Sequence, residues 1–267
     1  MTATPGWTLP ALMYHSVSAV GGPMRDLAVP PHLLAEQLSA LTDAGYRLVG
    51  LTEALDLLDA GSTERLLAVT FDDGYRDFLT EAVPVLREVG ARATLYVSVG
   101  HLGAQADWLG RWAPDFGPML TWDEVEQVAA AGVEIGNHSM IHHPLDVLPA
   151  AQLHSEIVNA HDELEQRLQL KVRSFAYPHG YNSRRVRELV ARTGHDNATE
   201  VGRRLHTAGE NRFAVPRLMP TPDHGGADLV ALAAGGGSGL VPKLKQAAQP
   251  GWRLARRTAR LLGRDLT

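Results

Sequence analysis

At 267 residues, 45% hydrophobic and 21% charged, the chain is long enough to bury a sizeable core, and its composition excludes extended disorder. A formal net charge of −5 excludes a general affinity for nucleic acid, which needs a basic face. The lack of cysteine excludes disulfides and zinc–thiolate sites, and no run of about 18 apolar residues offers a spanning helix. Residues 1–10 carry neither a basic n-region nor an apolar h-region, so the expected location is cytoplasmic.

Taken in chain order, apolar periodicity predicts a strand at 11–14, a helix at 32–44, a strand at 47–49 and a helix at 53–58. A strand at 67–71, a helix at 77–89 and a strand at 94–99 follow. Residues 100–118, rich in Gly and Pro and carrying Trp108 and Trp112, read as a long loop whose rings either stack on a sugar or pack on one another. Beyond it come a helix at 122–131, a strand at 133–135, a helix at 149–168, a strand at 174–177 and a helix at 183–192. Weaker strand patterns lie at 197–199 and 213–217. Strands alternating with helices along the whole length predict one barrel-like α/β domain.

Three of these strands end in residues with chemical potential. The apolar run Leu66-Leu67-Ala68-Val69 leads into Thr70-Phe71-Asp72-Asp73-Gly74-Tyr75. Adjacent carboxylates at a buried strand end are costly unless compensated, and successive side chains there point in different directions, so one can meet a cation and the other a reacting group. The bland alternative is that both acids only cap the helix starting near Asp77. Val133-Glu134-Ile135 leads into Gly136-Asn137-His138-Ser139-Met140-Ile141-His142. In a helical turn this spacing sets both imidazoles on one face, where they can bind one cation at about 2.0 to 2.1 Å. With Asp73 they make a three-ligand set that leaves positions open for water and substrate. His143 points about 100° away from His142 in such a turn and is left out of the set. Arg173-Ser174-Phe175-Ala176-Tyr177-Pro178-His179-Gly180 breaks at Pro-x-Gly, where N–H groups near His179 and Gly180 are candidate donors to an oxyanion. A plain strand and turn is the alternative reading there.

In this order the motifs Thr-Phe-Asp-Asp-Gly-Tyr, His-Ser-x-x-His and Phe-Ala-Tyr-Pro-x-Gly resemble the polysaccharide deacetylase family, the NodB-homology domains of carbohydrate esterase family 4. The resemblance covers about residues 9–220. Leu12-Met13-Tyr14-His15-Ser16-Val17 and Leu120-Thr121-Trp122-Asp123 are similar to the branch acting on poly-N-acetylglucosamine-type glycans. It implies a distorted (β/α) barrel of about seven strands spanning residues 1–232, and removal of acetyl groups from an N-acetylated sugar. It further implies Asp72 as general base, Asp73, His138 and His142 as ligands to a divalent metal (zinc first, with cobalt, nickel or iron as alternatives), and the backbone near His179 as part of an oxyanion hole.

Two departures from the family pattern stand out. No histidine follows Leu218 where many members place a general acid; the branch resemblance implies His15, at the end of the first strand, in that role, with His224 as the alternative. Ala176 occupies the place of the arginine that orients the base in many members, and Arg173 points to the opposite strand face, so base orientation is left unassigned. These gaps keep open an alternative, a carbohydrate-binding pseudoenzyme of the same fold, although the intact Asp72, Asp73, His138 and His142 argue against it.

Residues 233–267 change character. A Gly-rich stretch is followed by Lys243, Lys245, Arg253, Arg256, Arg257, Arg260 and Arg264, with Trp252, Ala255, Ala259 and Leu262 forming a helical stripe among them. Such a helix either lies on an anionic membrane surface or packs on the barrel with its arginines solvated. The membrane reading gives the expectation of peripheral membrane contact and a lipid-linked glycan precursor as substrate.

Overall fold

The structure, a computed structural model, describes residues 6–236; the basic tail helix expected from the sequence lies outside them. Among the described residues no helix is long and apolar enough to cross a membrane.

Strand β1 (Thr8–Leu9) is followed by β2 (Ala11–Tyr14), α1 (Pro31–Asp43), β3 (Arg47–Val49), α2 (Leu51–Asp59) and β4 (Leu66–Phe71). Next come α3 (Val83–Glu88), β5 (Thr94–Val97), α4 (Trp122–Ala130), β6 (Glu134–Asn137), α5 (Ala150–His154) and α6 (Ala160–Leu168). The described chain ends with β7 (Ser174–Ala176), α7 (Arg184–Thr193), β8 (Asn197–Val201), β9 (His206–Thr207), β10 (Val215–Arg217) and α8 (Gly226–Ala231). Strands pair in parallel in the order β10-β8-β7-β6-β5-β4-β2, with β3 added beside β4. The barrel closes where Met13 N–H donates to Leu218 O at 2.8 Å and Leu218 N–H to Ala11 O at 2.7 Å. This is the expected distorted barrel, seven strands round, with β1 and β9 as a separate antiparallel pair.

Period-2 alternation sorts the strand residues onto two faces. Leu67, Val69 and Phe71 of β4, with Leu12 and Tyr14 of β2 and Leu95 and Val97 of β5, join the apolar cluster beneath α1, α3 and α4. Phe175 and Ala198 meet Val186 and Val190 of α7 in a second cluster. The opposite set is apolar at the N-terminal end of the barrel and mostly polar above it. Leu66, Ala68, Ala11 and Val215 pack against Leu51, Leu55 and Leu58 of α2, which plugs the N-terminal end of the barrel. Above this plug, Tyr96 and Ser174 hydroxyls lie 2.6 Å apart, Ser174 Oγ donates to Asn197 Oδ1 at 2.6 Å, and Asn197 Nδ2 donates to Thr52 Oγ1 at 2.9 Å. These buried polar side chains are thus hydrogen-bonded to one another across strands and down to α2. Continued one step past the strand ends, the same alternation carries Asp72, His15 and His138 to the inward set.

Four elements depart from the sequence expectation. The helix expected at 77–89 begins with a π turn, Phe78–Ala82, and that at 149–168 contains one at Ser155–Asn159. The loop at 100–118 holds 3₁₀ segments Val99–His101 and Asp107–Phe116. Helix α8 lies where no element was expected; a Cβ on Gly226 would lie 2.6 Å from Ala40 Cβ, so the glycine admits a close approach of α8 to α1. The helix continues as a π turn, Leu232–Gly236, with Ala233 buried in the core.

Candidate active site

The C-terminal ends of β2, β4, β6 and β7 meet at one mouth of the barrel, around a cavity of about 360 Å³. His15, Asp72, Asp73, His138, His142 and His179 all line it, so the sequence-predicted residues come together with the exception of His224. His224 is held in a turn, its Nδ1 accepting from Thr221 N–H at 3.0 Å and its carbonyl accepting from Gln37 Nε2 at 2.6 Å.

The two aspartates part company as a strand end requires. Asp72 continues inward and receives a two-pronged contact from Arg217, Nη1 to Oδ1 at 2.6 Å and Nη2 to Oδ2 at 2.7 Å. Arg217 is fully buried in β10, and its Nη1 also donates to Thr70 Oγ1 at 2.9 Å. Burial alone would push the Asp72 carboxyl up, but the Arg217 guanidinium, aided by His138 and His15, holds it below the ordinary range. Asp72 is therefore an ionised, oriented carboxylate, and Arg217, not Arg173 or residue 176, is the arginine that orients it. The sequence did hold a signal: one arginine inside the apolar strand pattern Val215-Pro216-Arg217-Leu218 is a buried charge in want of a partner. Arg173, by contrast, pairs at the surface with Asp56 and Asp196, in keeping with its opposite strand face.

Asp73 turns the other way because its backbone takes the left-handed region, φ 74°, followed by Gly74 at φ 94°. Its Oδ1 is buried and accepts no hydrogen bond, yet lies 3.3 Å from His138 Nε2 and 3.4 Å from His142 Nε2. The three candidate ligand atoms lie within 4.8 Å of one another. His138 Nδ1 donates to Ala176 O at 2.9 Å, since a carbonyl only accepts, and this leaves the Nε2 lone pair turned to the shared space. Burial pushes the Asp73 carboxyl up, but the His138 and His142 contacts override it and hold the carboxyl well below the ordinary range. One carboxylate and two imidazoles with an unsatisfied buried oxygen at their centre fit a divalent cation of the zinc, cobalt, nickel or iron type.

The histidine pair is not on a helix, which corrects the expectation. Residues 138–142 form a bend in which Ser139 and His142 adopt left-handed φ of 69° and 60°, closed by His142 N–H donating to Ser139 Oγ at 3.0 Å. This bend brings His142 back under His138, ring centroids 4.9 Å apart. His143 pairs with Glu156 at 2.9 Å, outside the ligand set. Neither aspartate caps a helix.

His15 is half-buried on the cavity wall, and burial presses its imidazole below the ordinary value against the pull of Asp73 and Asp72. At the Pro-x-Gly turn, His179 sits at φ 57°, its ring 4.6 Å from that of His142. Gly180 N–H donates to Tyr177 O at 2.7 Å, so that amide is committed to the turn and is no oxyanion donor. A Cβ on Gly180, already at φ 73°, would stand 2.7 Å from Val201 N. From the 100–118 segment, Trp108 stacks on His142 at 4.2 Å and 19°, and Trp112 is half-buried against the cluster of Leu109, Ala113 and Phe116. Both tryptophans thus pack within the protein, and Trp108 also lines the cavity.

Comparison with known proteins agrees with this geometry. The chain is 26% identical over 224 residues to the assigned polysaccharide deacetylase YxkH of Bacillus subtilis (strain 168), covering 82% of this chain and 74% of that protein. It is 27% identical over 143 residues to the poly-beta-1,6-N-acetyl-D-glucosamine N-deacetylase of Escherichia coli (strain K12), 50% of this chain but about a fifth (21%) of that longer protein. The fold matches the Streptococcus pyogenes deacetylase PplD, solved with acetate, with a TM-score of 0.73 at 22% identity, covering 85% of this chain and 98% of that one. The polysaccharide deacetylase profile itself spans residues 59–198, from α2 through both acidic and histidine motifs to β8, and on that match this chain belongs to the polysaccharide deacetylase family.

Proposed function

We propose that the protein is a metal-dependent hydrolase that removes an acetyl group from an N-acetylated sugar of a glycan or glycan precursor. The observation that carries this reading is the convergence of Asp73 Oδ1, His138 Nε2 and His142 Nε2 around one buried, unsatisfied carboxylate oxygen beside an ionised Asp72. A divalent cation held by these three residues supplies Lewis acidity toward the amide carbonyl oxygen and the attacking water. Asp72, fixed by Arg217, accepts the proton that this water loses as its oxygen bonds the amide carbon. His15 delivers a proton to the amide nitrogen as the carbon–nitrogen bond breaks, so that the products are acetate and a free amine. The His179 backbone is assigned to the developing oxyanion, and Met24, Leu27, Trp108 and Leu109 give the acetyl methyl an apolar wall. The relative that acts on poly-beta-1,6-N-acetyl-D-glucosamine supports a β-1,6-linked N-acetylglucosamine substrate. The test is acetate release from N-acetylglucosamine oligomers, expected to stop on chelation and to return with added metal. Acetate release indifferent to chelation, or none with any N-acetylated sugar, overturns the reading.

A further inference from the structure

Every backbone N–H from Ser139 to His142, the bend that carries both histidine ligands, donates to a side chain. Ser139 N–H goes to Asn137 Oδ1 at 2.8 Å and His142 N–H to Ser139 Oγ at 3.0 Å, both acceptors belonging to the same segment. The middle two go elsewhere. Met140 N–H and Ile141 N–H both reach Oε2 of Glu156, at 3.1 and 3.0 Å, while Oε1 of the same carboxylate takes His143 Nδ1 at 2.9 Å. Glu156 is only 4% exposed and sits in the π turn Ser155–Asn159, a helical irregularity of the kind found at functional sites. On the other side of the bend, Val99 and Gly100 N–H groups donate to the Ser139 and Met140 carbonyls at 3.1 and 2.7 Å. The bend is thus gripped between a backbone edge and one carboxylate.

We infer that Glu156 is a positioning residue for the metal centre, holding the 138–142 bend so that His142 meets the cation already ordered. The inference rests on the reading of Asp73, His138 and His142 as metal ligands. His138 has its own support, the strand behind it and the Ala176 carbonyl. His142 does not: its Nδ1 is buried with no hydrogen-bond partner, so its position depends on the bend and on the Trp108 ring stacked over it. Non-glycine residues in the left-handed region, here Ser139 and His142, are held there only by their surroundings. Without the Glu156 carboxylate two backbone amides of the bend lose their acceptor, the bend relaxes, and metal binding has to re-order it.

The test is zinc titration by calorimetry into chelator-stripped wild-type, Glu156→Ala and Glu156→Gln proteins, with thermal melts of the metal-free forms. Removal of a group that orients a metal ligand typically weakens affinity about 10- to 100-fold, and this is the loss expected for Glu156→Ala. Glu156→Gln keeps an oxygen able to accept both amides and is expected within about threefold of wild type, a rescue that follows from that acceptor geometry. Wild-type affinity in Glu156→Ala overturns the inference, even if its metal-free form melts lower. If Glu156→Ala does not fold, Glu156→Asp decides: its carboxylate, about 1.5 Å short, is expected to lose at least about tenfold, and unchanged affinity overturns the inference. No zinc binding by the wild type overturns the metal reading instead, so the two failures are distinct.

Discussion

Replacing Arg217 with methionine removes a fully buried guanidinium and leaves the Asp72 carboxylate, 3% exposed, without its partner of 2.6 and 2.7 Å. Breaking a buried pair from one side costs about 3–5 kcal/mol, because the remaining charge stays desolvated. At about 2–4 °C per kcal/mol for a domain of this size, the melting temperature should fall by roughly 6–20 °C. The pH dependence has a definite sign. In the wild type the Asp72 pKa is lowered on folding, so the pair's contribution is present above the unfolded carboxylate value and is lost as pH falls through the folded one. In the variant only His138 and His15 are left to oppose burial, so that pKa rises and the carboxyl takes up a proton more readily. The stability gap should therefore be widest at neutral pH and narrow on acidification, and the acid limb of any deacetylase pH–rate profile should move up. Adding Asp72→Asn to Arg217→Met removes the orphaned charge and should recover part of the loss. Thermal melts of the three proteins across pH 4 to 8, at about one-unit steps, measure this directly. An Arg217→Met protein with wild-type melting at every pH, or a double variant no better than the single one, would refute the reasoning.

Three further outcomes are expected. His15→Ala should lower turnover by about 10²- to 10⁴-fold with metal affinity unchanged, whereas His224→Ala should leave turnover intact; the reverse pattern, read by acetate release and calorimetry, reassigns the acid. His195 is buried, its Nδ1 donating to Val190 O at 3.1 Å, and burial, then His161, press its pKa down to about 3. Its neutral form is favoured on folding, so stability is full above about pH 6.5 and falls with acid by roughly 1.4 kcal/mol per unit, about 2–3 kcal/mol by pH 4.5. His195→Gln should flatten that part of a denaturant-midpoint profile, and an unchanged slope counts against it. Removing the chain beyond Gly239 should lower binding to anionic vesicles while sparing metal binding, if the basic tail meets a membrane surface; equal vesicle binding removes that proposal.

The parts of the site legible in the sequence are those in which chemistry and chain position coincide. Asp72 and Asp73 follow a strand by one and two residues, and His138 follows another by one, so local pattern sufficed to place them at one barrel mouth. Arg217 contacts Asp72 across 145 residues, a pairing created only when β10 closes on β2, and no local spacing encodes it. Glu156 was hidden for a related reason: on a long helical pattern a glutamate reads as solvated surface, and only the π turn and the approach of the 138–142 bend bury it. The two histidines do come together, but on a different backbone from the one expected. Spacing of four suits a helical turn, but left-handed Ser139 and His142 bring the same two rings together in a tight bend. Likewise no element was expected at 226–231, where the close packing of Gly226 on Ala40 sets α8 against α1.

The central claim is that Asp73, His138 and His142 hold a catalytic cation. Zinc titration into chelator-stripped protein, with Asp73→Ala and His138→Ala beside the wild type, tests it most directly. The account predicts one tight site in the wild type that both substitutions abolish. No binding, or binding indifferent to either substitution, would contradict it and leave a carbohydrate-binding pseudoenzyme on the same barrel as the better description.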